Sequence, residues 1–189
     1  MVNKSTDRRA LHSRELIKDS FLKLLETRNY GSFSITDICN LSKISRSTFY
    51  QHYATLADVL AEIMDDVFSQ ISSLESMQSY SASQKNPCKM PLCLFIRQNS
   101  KYKNVLTDPA LSNQIIERYL QSDLQSFIER MLPKSTMTEK QLESILAFQF
   151  SGCLNAVRRD INKSDEDWEK SRKAIDKVLI SGLYSTSKV

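Results

Sequence analysis

Residues 45–53 combine side chains that suit contact with nucleic acid. The run reads Ser-Arg-Ser-Thr-Phe-Tyr-Gln-His-Tyr, with three short hydroxyl side chains, one Arg, one Gln and two Tyr. Arg and Gln can read base edges in the major groove, and Tyr and His can donate hydrogen bonds to phosphates. Phe49 is the fully apolar member, and we expect it to anchor the run to a core of Phe21, Ile38 and Ile44.

The elements around this run have the spacing of a helix-turn-helix. A capping box at residues 34–37 predicts the start of one short helix, residues 41–44 predict a turn, and Ser45 can cap the next helix. In a helix-turn-helix the first helix braces against the DNA backbone while the second enters the major groove. An alternative remains open, in which the hydroxyls are only helix caps and Tyr50 and Tyr53 are packing residues.

The rest of the chain has the periodicity of helices. Only three glycines occur in 189 residues, too few for many tight β-hairpin turns. Apolar spacing and capping pairs predict helices over 8–28, from 55 onward, and over 92–98, 111–131, 138–159 and 164–183. Residues 72–86 read either as the frayed end of the fourth helix or as a loop. The prediction is an all-α chain, with a three-helix head over 1–54 and a helical bundle over 55–189.

The positive charge is concentrated in the predicted head. Residues 1–53 hold nine Lys or Arg and five acids, whereas residues 54–189 hold seventeen of each. A basic head on a neutral body suits a polyanion partner such as double-stranded DNA, although a mild bias on a solvated face is the other interpretation.

Several other classes of protein are disfavoured. No zinc-protease, phosphate-loop, nucleophile-elbow or kinase motif occurs, so we expect no enzyme and no cofactor. The four cysteines form no CxxC pair; Cys39 and Cys153 read as core thiols, and a metal or redox role near Cys88 and Cys93 is the weaker alternative. With no signal peptide and no apolar run of about 18 residues, a soluble cytoplasmic protein is expected.

The sequence of the head resembles that of a known family. Residues 34–38 (Ser-Ile-Thr-Asp-Ile) and 44–53 (Ile-Ser-Arg-Ser-Thr-Phe-Tyr-Gln-His-Tyr) look like the N-terminal domain of TetR-family transcriptional regulators, a resemblance that covers about residues 10–65. It implies that Phe49 and Tyr53 pack inward. It also implies phosphate contacts by Thr36, Thr48, Tyr50, His52 and Thr55, and base contacts by Ser45, Arg46, Ser47 and Gln51.

Two positions depart from the family's pattern. Lys43 stands in the turn where the family often has Gly, and Leu56 stands at the start of the fourth helix where Lys is usual. Lys43 is a candidate for a compensating phosphate contact, whereas Leu56 removes one usual contact.

The rest of the chain is similar to the subgroup of these regulators that includes the dihydroxyacetone-kinase activator, through residues 95–99, 102–106 and 150–152. The resemblance implies a homodimeric repressor whose operator affinity a small effector modulates, or a bundle that docks a protein co-regulator instead. Candidate effector-binding residues are Phe68, Phe95, Tyr102, Tyr119 and Phe127. Candidate dimer-interface residues are Phe148, Phe150, Gly152, Leu154, Val157, Ile175, Val178, Leu179 and Leu183. Ordinary packing in the core of one chain is the alternative for both sets.

Overall fold

The computed structural model describes residues 4–80 and 92–184, and this part of the chain folds into α-helices joined by short turns. The helices are α1 (Lys4–Leu24), α2 (Ile35–Ser42), α3 (Arg46–His52), α4 (Leu56–Tyr80), α5 (Leu92–Gln98), α6 (Ser100–Thr107), α7 (Ser112–Met131), α8 (Glu139–Asp160) and α9 (Asp165–Tyr184). Single 3-10 turns at Pro109–Leu111 and Leu132–Lys134 flank α7. No strand forms among the described residues, and the predicted all-α class is confirmed.

Polar pairs three residues apart begin four of the helices, as the sequence predicted. In each pair the first side chain accepts a hydrogen bond from the backbone N–H of the second residue, at 3.2 or 3.3 Å. This contact satisfies a donor that the first helical turn would leave without a partner. The pairs are Ser34 and Asp37 before α2, Thr55 and Asp58 before α4, Thr138 and Gln141 before α8, and Ser164 and Asp167 before α9.

The first helix differs from its predicted bounds of 8–28. The helix ends at Leu24, and the chain has turned by the time it reaches Arg28. Arg28, expected on the apolar stripe, is therefore exposed and lies 3.3 Å from a carboxylate oxygen of Asp37. Lys18, expected off that stripe, is buried instead, because acidic side chains surround its ammonium group.

Three further elements were predicted only in part. α2 continues through Ser42, whose buried hydroxyl donates to the carbonyl oxygen of Ile38 at 2.7 Å, so the turn is shorter than expected. α4 extends to Tyr80, which places the first part of the ambiguous stretch in a helix. α6 was not predicted; just beyond it, the carboxylate of Asp108 accepts a hydrogen bond of 3.3 Å from the backbone of Tyr30.

The chain forms two compact units. The first holds residues up to 67 together with 100–112, and the second holds residues 68–99 and those from 113 onward. In the first unit, the ring of Phe21 meets Phe33 edge-on with centroids 5.3 Å apart, and Phe49 is fully buried against this core. The head and bundle boundary expected after residue 54 remains a prediction.

The second unit has an aromatic cluster at its core. The rings of Tyr119 and Phe150 stack with centroids 3.9 Å apart, and Phe68 meets Tyr119 at 5.5 Å. The Tyr119 hydroxyl donates to the buried carboxylate of Asp123 at 2.9 Å, so the polar end of the ring keeps a partner away from water.

Candidate nucleic-acid interface

The turn between α2 and α3 depends on the backbone of Lys43. Lys43 has φ 57° and ψ 34°, the left-handed conformation, and among the described residues it is the one non-glycine residue with a positive φ. Its N–H and that of Ile44 both donate to the carbonyl oxygen of Cys39, which ends α2. This geometry explains why Gly would fit the position, and it leaves the Lys43 side chain exposed.

The hydroxyl of Ser45 begins α3. It accepts the Thr48 backbone N–H at 3.0 Å and lies 2.8 Å from the hydroxyls of both Ser47 and Thr48. Capping therefore occupies part of the hydrogen-bonding capacity of Ser45, and Thr55 has the same role before α4. The alternative interpretation of hydroxyls as caps describes these two residues.

One side of α3 is fixed to the core. Phe49 is fully buried, and Tyr53, which ends the helix, is 5% exposed. The expectation that both pack inward is confirmed. Tyr50 meets the Phe49 ring edge-on, with centroids 5.7 Å apart, yet half of its surface is exposed. The packing thus holds the Tyr50 ring while leaving its hydroxyl available.

The other side of α3 presents the residues that the sequence singled out. Of the ten residues expected to contact DNA, eight are exposed, namely Thr36, Lys43, Ser45, Arg46, Ser47, Tyr50, Gln51 and Thr55, and two, Thr48 and His52, are half-buried. Leu56, the departure from the family's Lys, is half-buried at the start of α4.

The cations of the first unit divide into two groups. Arg14, Lys18 and Arg28 form ion pairs with carboxylates. Lys43 and Arg46 form no ion pair within the described part of the chain, so their charge stays available for phosphates or bases. The charge bias of the head is therefore expressed at the turn and at the start of α3.

An ion cluster beside α3 was not found from the sequence. Glu62 on α4 accepts hydrogen bonds from the Tyr53 hydroxyl at 2.9 Å and from Arg14 Nε at 3.2 Å. Arg14 Nη2 donates to the second carboxylate oxygen, and Lys18 Nζ lies 3.3 Å from Glu62 Oε1. Arg14 and Glu62 are 48 residues apart in the chain, and no local spacing could have joined them.

The electrostatics of this cluster favour its charged form. Burial alone would raise the pKa of Glu62, but the hydrogen bonds from Arg14 and Tyr53 outweigh it and hold that pKa below its usual range. Burial, followed by the hydrogen bond to Glu62, raises the pKa of Tyr53 to about 12. Glu62 is therefore an anion and Tyr53 a neutral donor at neutral pH.

The residues expected to bind an effector do not form one open cavity. Phe68, Phe95, Tyr119 and Phe127 are buried in the second unit, whereas Tyr102 lies on α6 in the first. A small cleft of about 30 Å³ lies elsewhere, with walls from α5, α8 and α9. It has room for about one water molecule. Its lining includes Cys93, Cys153, Trp168, Arg172 and Asp176.

The residues expected at a dimer interface divide by exposure. Phe150, Leu154 and Val157 are buried within the chain. Phe148 and Val178 are 73% and 72% exposed. Gly152 and Ile175 are exposed and Leu179 is half-buried, whereas the Leu183 side chain lies outside the described residues.

The described ranges contain neither a metal-binding cluster nor a membrane-spanning helix. No group of three or more His, Cys, Asp or Glu side chains there is placed to hold a metal ion; Cys88 lies outside those ranges. No helix there has the length and apolar character needed to cross a membrane.

Comparison with known proteins agrees with this architecture. The chain is 27% identical over 135 residues to the "Uncharacterized HTH-type transcriptional regulator YxbF" of Bacillus subtilis (strain 168), a match that covers 64% of this chain but only 36% of that relative. A TetR transcriptional regulator from Streptococcus agalactiae 2603V superposes with a TM-score of 0.62 at 16% identity, covering 93% of this chain and 98% of that one.

A third likeness bears on the subgroup. The dihydroxyacetone kinase operon activator DhaS superposes with a TM-score of 0.52 at 14% identity, covering 93% of this chain and 98% of that one. No protein-family model matches the chain. The chain has the fold of the TetR-family transcriptional regulators, as its helix-turn-helix sequence predicted.

Proposed function

We propose that this chain is a sequence-specific DNA-binding transcriptional regulator, and that α3 is its recognition helix. One observation carries the proposal: α3 is fixed by the fully buried Phe49 while Arg46, Ser47, Tyr50 and Gln51 face away from the core. A surface helix with this mixture of a cation, an amide and hydroxyls has the donors and acceptors that base edges and phosphates require.

The dimensions of α3 suit the major groove. Seven residues at 1.5 Å per residue give a helix about 10 Å long, comparable with a groove about 12 Å wide. Arg46 and Gln51 read base edges, and Ser45 and Ser47 lie at the same face. Thr36, Lys43, Thr48, Tyr50, His52 and Thr55 bind phosphates and fix the orientation of α3.

The proposal includes a homodimer, because two recognition helices read successive half-sites of a palindromic operator. Phe148 and Gly152 are one helical turn apart on α8, and Ile175 and Val178 lie three residues apart on α9; all four are exposed. A Cβ atom at Gly152 would meet nothing within 4 Å, so a partner helix could approach closely there. Burying these apolar side chains would supply the association energy.

Regulation is proposed as repression modulated by a small effector in the second unit. The buried rings of Phe68, Tyr119 and Phe150 offer an apolar environment for such a ligand. One observation favours the alternative, a bundle that docks a protein co-regulator: these rings pack directly on one another, and the cleft nearby holds about 30 Å³.

A gel-shift assay on an operator selected by the wild-type protein tests the recognition helix. Arg46→Ala and Tyr50→Ala should each weaken binding about tenfold or more, because each removes a direct DNA contact. Lys140→Ala removes an exposed charge from the start of α8 and is the control, with wild-type affinity expected. Unchanged binding by both α3 variants, with wild-type circular dichroism, would contradict the assignment of α3.

Tyr50→Phe separates packing from contact. It keeps the ring against Phe49 and removes only the hydroxyl. Binding as weak as that of Tyr50→Ala identifies the hydroxyl as the contact, whereas wild-type binding shows that Tyr50 only packs.

A further inference from the structure

A buried ammonium group joins α1 to α4 beside the recognition helix. Lys18 has 7% of its side chain exposed, and its Nζ lies 2.7 Å from Glu15, 3.3 Å from Glu62 and 2.5 Å from Asp66. Taking a Lys ammonium out of water is costly unless acids compensate it, so this cluster is a fixed point of the first unit.

Glu62 extends this fixed point to the end of α3. Its carboxylate accepts the Tyr53 hydroxyl at 2.9 Å, and Tyr53 is the residue that ends the recognition helix. The Arg14 guanidinium bonds both Glu62 oxygens and lies 5.9 Å from the centre of the Tyr53 ring. Tyr53 is therefore held at its hydroxyl by α4 and at its ring by α1.

We infer that Glu62 is a positioning residue of the DNA-binding site, which fixes the carboxyl-terminal end of α3 through the Tyr53 hydroxyl. This inference rests on the proposed function. Its contribution is to specificity, because reading bases requires α3 to be held at one angle, whereas phosphate contacts tolerate small rotations.

The chemistry of the carboxylate explains why an amide cannot replace it. Two oxygens serve Arg14 and Tyr53 together, with Lys18 also close. In Glu62→Gln one oxygen remains and the new NH₂ group faces a donor, so Arg14 and Tyr53 cannot both keep their bonds. The Tyr53 hydroxyl, on a side chain 5% exposed, is then left without its acceptor.

Asp66 supplies a matched control on the same helix. Asp66→Asn removes one negative charge beside Lys18, as Glu62→Gln does, but no bond to Tyr53 is lost. Since removing an acid near DNA lowers repulsion, Asp66→Asn should bind the operator as tightly as the wild type or slightly more tightly. Glu62→Gln should bind about three- to tenfold more weakly, opposite to the charge effect.

The experiment measures affinity for a selected operator and for unrelated DNA over a range of salt, with wild type, Glu62→Gln, Asp66→Asn and Tyr53→Phe. We expect Glu62→Gln and Tyr53→Phe to lower the ratio of operator to unrelated-DNA affinity while the salt slope stays unchanged, because no phosphate contact is lost. Combining them should cost much less than the product of the single effects, since both break one bond.

The outcomes separate this inference from the function on which it rests. A wild type that selects no DNA overturns both. A wild type that selects an operator, with Glu62→Gln and Tyr53→Phe at wild-type ratios, overturns the positioning role alone. The positioning role is also overturned if the two variants lose only stability in urea and bind normally when folded, which would make the cluster merely structural.

Discussion

Replacing Lys43 separates two properties that the turn between α2 and α3 combines. Its backbone is in the left-handed region, at φ 57° and ψ 34°, and its exposed side chain is a candidate phosphate contact. In Lys43→Gly the strained backbone becomes relaxed while the cation disappears. We expect the variant to be more stable than the wild type and yet to bind DNA less tightly.

The magnitudes follow from the geometry. A side chain with a Cβ atom in the left-handed region costs about 1–2 kcal/mol, and Gly gives back roughly 0.5–1 kcal/mol through the greater freedom of its unfolded chain. The net gain is about 0.5–1 kcal/mol, equivalent to a rise of roughly 1–4 °C in Tm for a chain of this size. Losing one phosphate contact should reduce the salt slope by about 0.9.

Urea unfolding and a salt titration of operator binding measure the two effects on the same protein samples. Lys43→Asn is the control: Asn tolerates the left-handed region but carries no charge, so it should reproduce the loss of salt slope with a smaller change in stability. A Lys43→Gly variant that is less stable than the wild type would refute the argument from the backbone. An unchanged salt slope in both variants would refute the phosphate contact.

Three other predictions concern separate parts of the chain. Ser34→Ala removes the acceptor for the Asp37 N–H, so the free energy of unfolding should fall by about 1–2 kcal/mol in urea, whereas Ser34→Thr should keep most of it. Because the folded pKa of Glu62 lies below its unfolded value, its stabilisation is present at neutral pH and is lost in acid; the difference in stability between wild type and Glu62→Gln should therefore shrink below about pH 4, and a constant difference would contradict this. Phe148→Asp and Val178→Asp place a charge on the proposed dimer surface, so sedimentation velocity should show monomers where the wild type shows dimers; dimers in both variants would exclude that surface.

Local signals were sufficient for the helix-turn-helix. Ser34 with Asp37 and the lone apolar Phe49 identify the starts of the helices and the buried side of α3 from neighbours within four residues. The same kind of signal located α8 and α9 through their capping pairs. Such contacts depend on spacing along one helix, which a sequence displays directly.

Long-range contacts account for what was missed. Lys18 reads as a surface cation because its partner Asp66 on α4 lies 48 residues further along the chain. Arg28 fits a helical stripe that the chain leaves after Leu24. Phe150 and Leu154, expected at a dimer surface, are buried, since an apolar stripe alone does not show which neighbour covers it. The side of a helix that faces a partner is a property of packing, not of periodicity.

Selection of bound duplexes from random DNA by the wild-type protein is the decisive measurement of sequence-specific binding by α3. We predict an inverted repeat whose half-sites have centres about one helical turn, or a multiple of it, apart. Arg46→Ala, selected in parallel, should relax the preference at one position of each half-site. Enrichment of no sequence above the level of non-specific binding would contradict a sequence-specific regulator, however well the protein folds.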